Sequence, residues 1–312
     1  MTNMKVSLCI LTYNRSEILV KLLDSIKGIY PSLAEVIVVD NCSTDGTKEL
    51  FDNDYGWVCY IRELENIGVA ARNTAIKKSI GDVIITIDDD IFGLTEADIK
   101  DIKKKLDDNP QIGALNFKVI DAHTGTICNW IHHREVEKFH DKPFLTYEIS
   151  EGAVAFRKAA LLETGLYPEY FFISHEGPDL AFRLIDKGYE VHYFPSIAVQ
   201  HSHAVQGRKS WFRYYYDTRN LFWLAMRNFP VWYAMRFLFR GLSATFVYSV
   251  RDGFFKYWVK GVYDALPGLK RCARDRHQLS KKTMLQLKDI DRKRPSFYYM
   301  LSKRLFRKEM RL

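Results

Sequence analysis

The chain opens by repeating one pattern: a short apolar run, a polar cluster, then a stretch with helical spacing. Val6–Thr12 reads as a buried strand and ends in Thr12-Tyr13-Asn14-Arg15. Ser16–Lys27 comes next, with Ile18, Leu19, Leu22, Leu23 and Ile26 on one helical face and Ser16 as its N-cap; Gly28 and Pro31 close it. Glu35–Asp40, Trp57–Arg62 and Asp82–Ile87 read as further strands, separated by helices over Thr44–Phe51 and Gly68–Ser79. The fourth run ends in Asp88-Asp89-Asp90. This alternation predicts an α/β fold with a mostly parallel central sheet and helices on both faces. Such sheets bind ligands outside the carboxyl ends of their strands. Thr12–Arg15, Asp40–Asp45 and Asp88–Asp90 all fall at those ends, so clusters distant in the chain share one rim.

Ile112–Asp121 and Ala153–Arg157 read as strands and Glu176–Lys187 as a helix with Leu180, Leu184 and Ile185 on its apolar side. Glu190–Phe194 is a strand that leads through Pro195 to His201-Ser202-His203. Ser210–Asn228 is a helix ending before Pro230, and Val231–Lys260 is amphipathic and rich in Trp, Tyr, Phe and Arg. The 312 residues suffice for one large domain or two small ones. The expected division is a catalytic domain over 1–204 and a basic, aromatic-rich helical region over 205–312. From Val205 onward lie 25 of the 46 Lys and Arg, 7 of the 38 Asp and Glu, and 23 of the 44 aromatic residues. Such asymmetry predicts a polyanionic partner, a membrane surface or nucleic acid, and leaves the acidic part for metal chemistry. The longest charge-free apolar run there, Gly241–Val250, is far short of the roughly 18–20 residues of a spanning helix. Met1–Lys5 leads directly into the first strand, without the features of a secretory leader. Five scattered cysteines with no CxxC pair predict neither a zinc site nor a disulfide framework, and fit reduced cytoplasmic thiols.

Three adjacent carboxylates at a strand end repel one another. A hard divalent cation, Mg²⁺ or Mn²⁺, would relieve that repulsion, whereas a solvated acidic turn would not need one. His201 and His203 close the next strand, and an imidazole there can complete a metal site. Glu176 and Asp179 share one face at the start of a helix, where a carboxylate can serve as general base. Glu176 can equally stabilise the helix terminus and Asp179 can pair with Arg183 at i+4; for Asp179 the structural role is favoured. Arg72 offers a guanidinium for a phosphate. Thr12, Asn14, Asp40 and Asn41 offer hydrogen-bonding groups for a base and ribose, or caps for turns.

Together these segments resemble family 2 glycosyltransferases, inverting enzymes with a nucleotide-binding α/β fold of the glycosyltransferase-A type. The resemblance rests on Thr12-Tyr13-Asn14-Arg15, on Val39–Thr47 and on Asn66-Ile67-Gly68-Val69-Ala70-Ala71-Arg72-Asn73. Asp88-Asp89-Asp90, His175–Arg183 and His201 continue it in the family's order. It covers roughly Val6–His203. Arg213–Asn220 is similar to the segment after the core in bacterial enzymes of surface-polysaccharide synthesis, including rhamnosyltransferase-like ones. The resemblance implies that Thr12, Tyr13 and Arg15 hold the base and ribose of a nucleotide-sugar, with Asn14, Asn41 and Asp89 in the same binding set. Asp40 would contact the base, Arg72 the base or diphosphate, and Asp88 the ribose or sugar, with Asp88 also in the metal set. Asp90 would ligate Mg²⁺ or Mn²⁺, His201 would complete that site, and Glu176 would deprotonate the acceptor. Many members carry two adjacent acidic residues before the Asp-Leu pair, the second often being the base; here that position is Gly177. The base is then Glu176 or Asp179, and Glu176 is favoured.

The function expected is an in-line displacement with inversion, from a UDP-, dTDP- or GDP-linked sugar to a glycan or lipid-linked acceptor. Trp211, Trp223, Trp232, Tyr233, Phe237, Phe254, Phe255, Tyr257 and Trp258, interleaved with Arg and Lys, predict peripheral attachment to an anionic cytoplasmic leaflet. Packing of these rings on the catalytic domain is the competing expectation. A nucleotidyltransferase would carry a glycine-rich loop near its N-terminus, and Thr12–Arg15 has no glycine. A nucleic-acid-binding module in the basic tail leaves the acidic rim unexplained. A homologue that binds without catalysis would not need Asp88, Asp90 and His201 intact.

Overall fold

The computed structural model describes residues 4–202, 211–296 and 299. His203 lies outside them. The chain runs β1 (Val6–Thr12), α1 (Ser16–Ile26), β2 (Glu35–Asp40), α2 (Thr47–Asn53), β3 (Val58–Arg62), α3 (Arg72–Lys78), β4 (Val83–Asp88) and β5 (Ile91–Phe92). It continues with α4 (Glu96–Asp108), β6 (Ile112–Asp121), α5 (Val136–Phe139), β7 (Phe144–Leu145), β8 (Ala153–Arg157), α6 (Lys158–Thr164), α7 (Glu176–Asp186) and β9 (Glu190–His201). The last described elements are α8 (Trp211–Asn228), α9 (Val231–Arg251), α10 (Phe255–Arg274) and α11 (Lys281–Arg292).

The strands form one mixed sheet in the order β3-β2-β1-β4-β8-β6-β9-β5, with β7 also on β9. β3, β2, β1 and β4 are parallel, as the early alternation predicts. Beyond β4 the sheet turns mixed: β8 is antiparallel to β4 and β6, while β6 and β9 are parallel. Alternation along β1 sends Val6, Leu8 and Ile10 to the face packed by α1 and α4, and Cys9 to the other. That other face receives Leu180, Leu184 and Ile185 of α7 and also Leu224, Cys272, Leu287 and Ile290 from α8, α10 and α11. The helices beyond residue 204 therefore share a core with the sheet.

Two local differences from the sequence expectation have physical causes. Ser16 does not cap α1: the preceding Arg15 is the N-cap residue without a side-chain bond, and Asp45 Oδ2 accepts the Ser16 N–H at 2.8 Å. Strand β9 does not stop at Pro195 but continues to His201. Its pairing with β6 jumps from Phe117↔Phe194 to Lys118↔Ala198, so the proline is accommodated in a bulge where no ladder hydrogen bond is required of it.

The tail aromatics divide. Trp223 is buried and its indole N–H donates to the Ala265 carbonyl at 2.9 Å, and Trp211 stacks on Tyr257. On α9 and α10, by contrast, Trp232 (78% exposed), Phe239 (75%), Met235, Val247, Val250 and Leu266 face outward. No helix among the described residues is long and apolar enough to cross a membrane.

Candidate active site

Parallel β1, β2 and β4 end side by side, so the loops that leave them meet at one rim. Asn14 (φ 53°) turns there in the left-handed region, which Asn tolerates well. Its Oδ1 accepts the Thr44 N–H at 2.7 Å and its own N–H donates to Ser43 Oγ at 2.8 Å, locking the β1 and β2 loops together. Asn41 spans the next gap, donating to Asn66 Oδ1 (2.9 Å) and the Gly68 carbonyl (3.0 Å) and accepting the Ile67 N–H (2.9 Å). Gly68 (φ 69°) lies so close beneath the Phe172 carbonyl that any Cβ would collide with it. Asp40 is fully enclosed; Oδ1 accepts the Ser43 N–H at 2.8 Å and Oδ2 the Tyr60 hydroxyl at 2.6 Å, with Arg62 at 3.4 Å. Asn14, Asp40 and Asn41 thus hold the walls of the rim, while Tyr13 (44% exposed) presents its ring outward.

The three aspartates after β4 diverge. Asp89 turns inward, accepting from Thr12 Oγ1 at 2.8 Å and Arg15 at 2.9 Å. Burial, with the like charges of Asp90 and Asp88, lifts its pKa to about 6 against the pull of Arg15. Thr12 and Arg15 therefore brace the acidic turn itself. Asp90 takes the same guanidinium at 2.7 Å on Oδ2 and lies 3.3 Å from His201 Nε2 on Oδ1. Burial acts to raise the Asp90 carboxyl, but the contact with His201 and the charges of His201 and Arg15 hold it below the usual range. Burial likewise acts to lower His201, yet the contact with Asp90, assisted by Cys128, brings it up to about 9. Asn129, which carries no motif of its own in the sequence, contacts His201 Nδ1 at 2.9 Å and fixes the ring.

Asp88 faces the other way, onto the buried Arg72, whose Nη1 also donates to the Ile87 carbonyl at 3.2 Å. Arg72 is therefore enclosed beneath the rim, and its guanidinium is engaged by protein groups rather than extended toward a phosphate. Among the described residues no three His, Cys, Asp or Glu side chains gather to hold a metal ion by themselves. Asp88 is paired with Arg72, apart from the contact between Asp90 and His201. Asp90 and His201 remain together. Asp90 Oδ1 is buried and makes no well-aligned hydrogen bond, so a carboxylate oxygen and an imidazole converge on one point. Two such donors suit Mg²⁺ or Mn²⁺ when a diphosphate and water supply the rest.

Asp179 sits in a buried ion-pair cluster. It is wholly buried, accepting from Arg183 (3.1 Å), Arg227 (2.9 Å) and Asn228 (2.7 Å). Burial would raise its pKa, but the Arg183 and Arg227 charges keep it lowered. Its work is to bind α7 to α8, in line with the i+4 spacing to Arg183; Arg227 and Asn228 carry no sequence signal for it. Glu176, in the first turn of α7, is buried beside Glu151, just before β8. Glu151 has no sequence signal either, because a single acidic residue ahead of an apolar run is unremarkable.

The model of "Glycosyl transferase family 2" matches residues 7–164. The O-antigen chain rhamnosyltransferase RfbN of Salmonella typhimurium is 28% identical over 243 residues, which is 69% of this chain and 71% of that protein. Among solved structures, S. aureus TarS 1–349 in complex with UDP-GlcNAc superposes with a TM-score of 0.60 at 20% identity, covering 96% of this chain and 92% of that one. The mannosyltransferase PcManGT from Pyrobaculum calidifontis, in complex with GDP-Man and Mn2+, gives 0.52 at 17% identity over 99% and 89%. These likenesses agree with the fold described above.

Proposed function

The chain belongs to glycosyl transferase family 2, and from that membership we propose an inverting, metal-assisted transfer of a sugar to a hydroxyl of a glycan or lipid-linked glycan. A nucleotide-sugar-dependent glycosyltransferase must bind a nucleoside diphosphate, offset the charge left on it and remove a proton from the acceptor. The observation that carries the metal-assisted reading is the convergence of Asp90 Oδ1 and His201 Nε2, 3.3 Å apart, at the carboxyl rim of the sheet. A divalent cation, Mg²⁺ or Mn²⁺, would supply Lewis-acid stabilisation of the departing diphosphate. Asp90 and His201 would hold it, while Arg15 and Asp89 keep Asp90 in place. Tyr13 has the exposure to stack on the base, over walls built by Asp40 and Asn41. Asp88, 37% exposed at its side chain, can meet the ribose or sugar while Arg72 anchors it from beneath. Proton removal calls for a carboxylate near the first turn of α7, and Glu176 is the residue there that the sequence nominates.

The relative RfbN, named for an O-antigen chain, supports a surface-polysaccharide acceptor. The outward rings of α9 and α10, with Arg236, Arg240 and Arg251 among them, support a site at an anionic lipid surface. A melting-temperature screen with UDP, dTDP and GDP, each with and without Mn²⁺, tests the donor reading. One nucleotide should raise the midpoint, and more so with the metal. A protein indifferent to all three would count against it.

A further inference from the structure

Glu151 lies in the segment that enters β8, the neighbour of β4, and its carbonyl is fixed by Thr86 Oγ1 at 2.6 Å. Two glycines make room around it. A Cβ on Gly152 would strike the Asp88 carboxylate, whose own N–H donates to the Gly152 carbonyl at 3.2 Å. A Cβ on Gly177, in the first turn of α7, would strike Glu151 Oε1 and come within 2.7 Å of the Ile149 carbonyl. Gly177 does not have a positive φ, so its backbone conformation does not call for glycine. What calls for it is the space that the Glu151 carboxylate occupies. The first turn of a helix favours negative charge, so α7 receives there a carboxylate delivered from another strand. Glu176 is only 4% exposed, whereas Glu151 keeps partial access to solvent.

Resting on the transferase reading, we propose that Glu151 is the general base, its carboxylate standing where a side chain at position 177 would otherwise project, with Glu176 behind it. The acceptor oxygen uses a lone pair to form the bond to the anomeric carbon, and its proton passes to the Glu151 carboxylate. The bond from that carbon to the diphosphate oxygen breaks, and its electron pair leaves with the diphosphate. The surrounding charges suit the task. Burial first, and then the charge of Glu176, hold the Glu151 carboxyl well above the usual carboxylate range, with Asp88 adding to this and Arg72 opposing it. The Tyr167 hydroxyl, buried without a hydrogen-bond partner, belongs to the same group of interacting side chains. A carboxylate raised in this way titrates nearer the pH at which a general base works best.

The test compares wild type, Glu151→Gln, Glu151→Asp and Glu176→Gln in full-length protein. Release of nucleoside diphosphate is followed across pH from UDP-, dTDP- and GDP-sugars with Mn²⁺, and the melting shift given by UDP, dTDP or GDP with Mn²⁺ reports folding and donor binding. Glu151→Gln should lose about 10²–10⁴-fold in release with its nucleotide shift intact, and Glu151→Asp should recover part of the rate. Glu176→Gln should lose less and move the acid limb of the pH profile downward, because a like charge has gone. Release by Glu151→Gln within about threefold of wild type, or a larger loss in Glu176→Gln, overturns the assignment. Absence of both release and nucleotide shift in the wild type overturns the transferase reading, and the base with it.

Discussion

His201 Nε2 stands 3.3 Å from Asp90 Oδ1, and the Ile91↔His201 pairing of β5 with β9 holds the two together. The carboxylate comes just after the central parallel strand β4, and the imidazole arrives from the far side of the sheet. If this pair carries the cation, Asp90→Ala should abolish the extra melting shift that Mn²⁺ gives over nucleotide alone. Turnover should fall by roughly 10³-fold or more, since Lewis-acid stabilisation is worth several kcal/mol. A variant that keeps the metal increment would remove Asp90 from the site.

The same pair sets a pH dependence in the metal-free protein. His201 is raised to about 9 from an ordinary value near 6.5, so its contribution to stability is fully present below about 6.5 and disappears as pH rises through about 9. In EDTA, urea denaturation should show about 1–3 kcal/mol lost across that window. His201→Asn should flatten the profile. An unchanged slope in that variant would mean that other groups dominate the alkaline limb.

Arg227 on α8 and Asp179 on α7 form a buried ion pair at 2.9 Å. Removing one member strands the other charge, so Arg227→Met should destabilise the protein by about 3–5 kcal/mol. Asp179→Asn, which leaves both Arg183 and Arg227 without their counter-charge, should be at least as severe. Chemical denaturation measures both, and a change below about 1 kcal/mol for either would contradict this account.

Trp232 and Phe239 are exposed and make little contribution to the core, so Trp232→Ser and Phe239→Ser should leave stability within about 0.5 kcal/mol. If α9 meets an anionic lipid surface, each loss should weaken flotation with phosphatidylglycerol vesicles by about tenfold. Wild-type protein that does not float with such vesicles would refute the membrane reading.

The strands of the parallel half and the position of the rim were legible because hydrophobic period and polar strand ends are local signals. The extension of β9 was not, because accommodation of Pro195 depends on the bulge opposite Phe117 and Lys118, a tertiary event. Residue types at the site were legible, but their orientations were not. Asp88, Asp89 and Asp90 are adjacent in sequence yet turn to Arg72, to Thr12 and Arg15, and to Arg15 and His201 respectively. Asp179 was legible as a pair for Arg183, whereas its partners on α8 lie too far along the chain for spacing to reveal. Glu151 became visible only through the room that Gly177 leaves.

The clamp of Arg227 and Asn228 on Asp179 bears on how this protein can be cut and recombined. A fragment ending near residue 204 would leave an aspartate and an arginine on α7 facing water across a stripped apolar face. Grafting a different carboxyl-terminal region would succeed only if the donor sequence brought its own arginine and asparagine at matching turns. Modularity in this chain is thus limited by electrostatics inside the joint, and the helical region cannot be exchanged independently of the sheet it packs on.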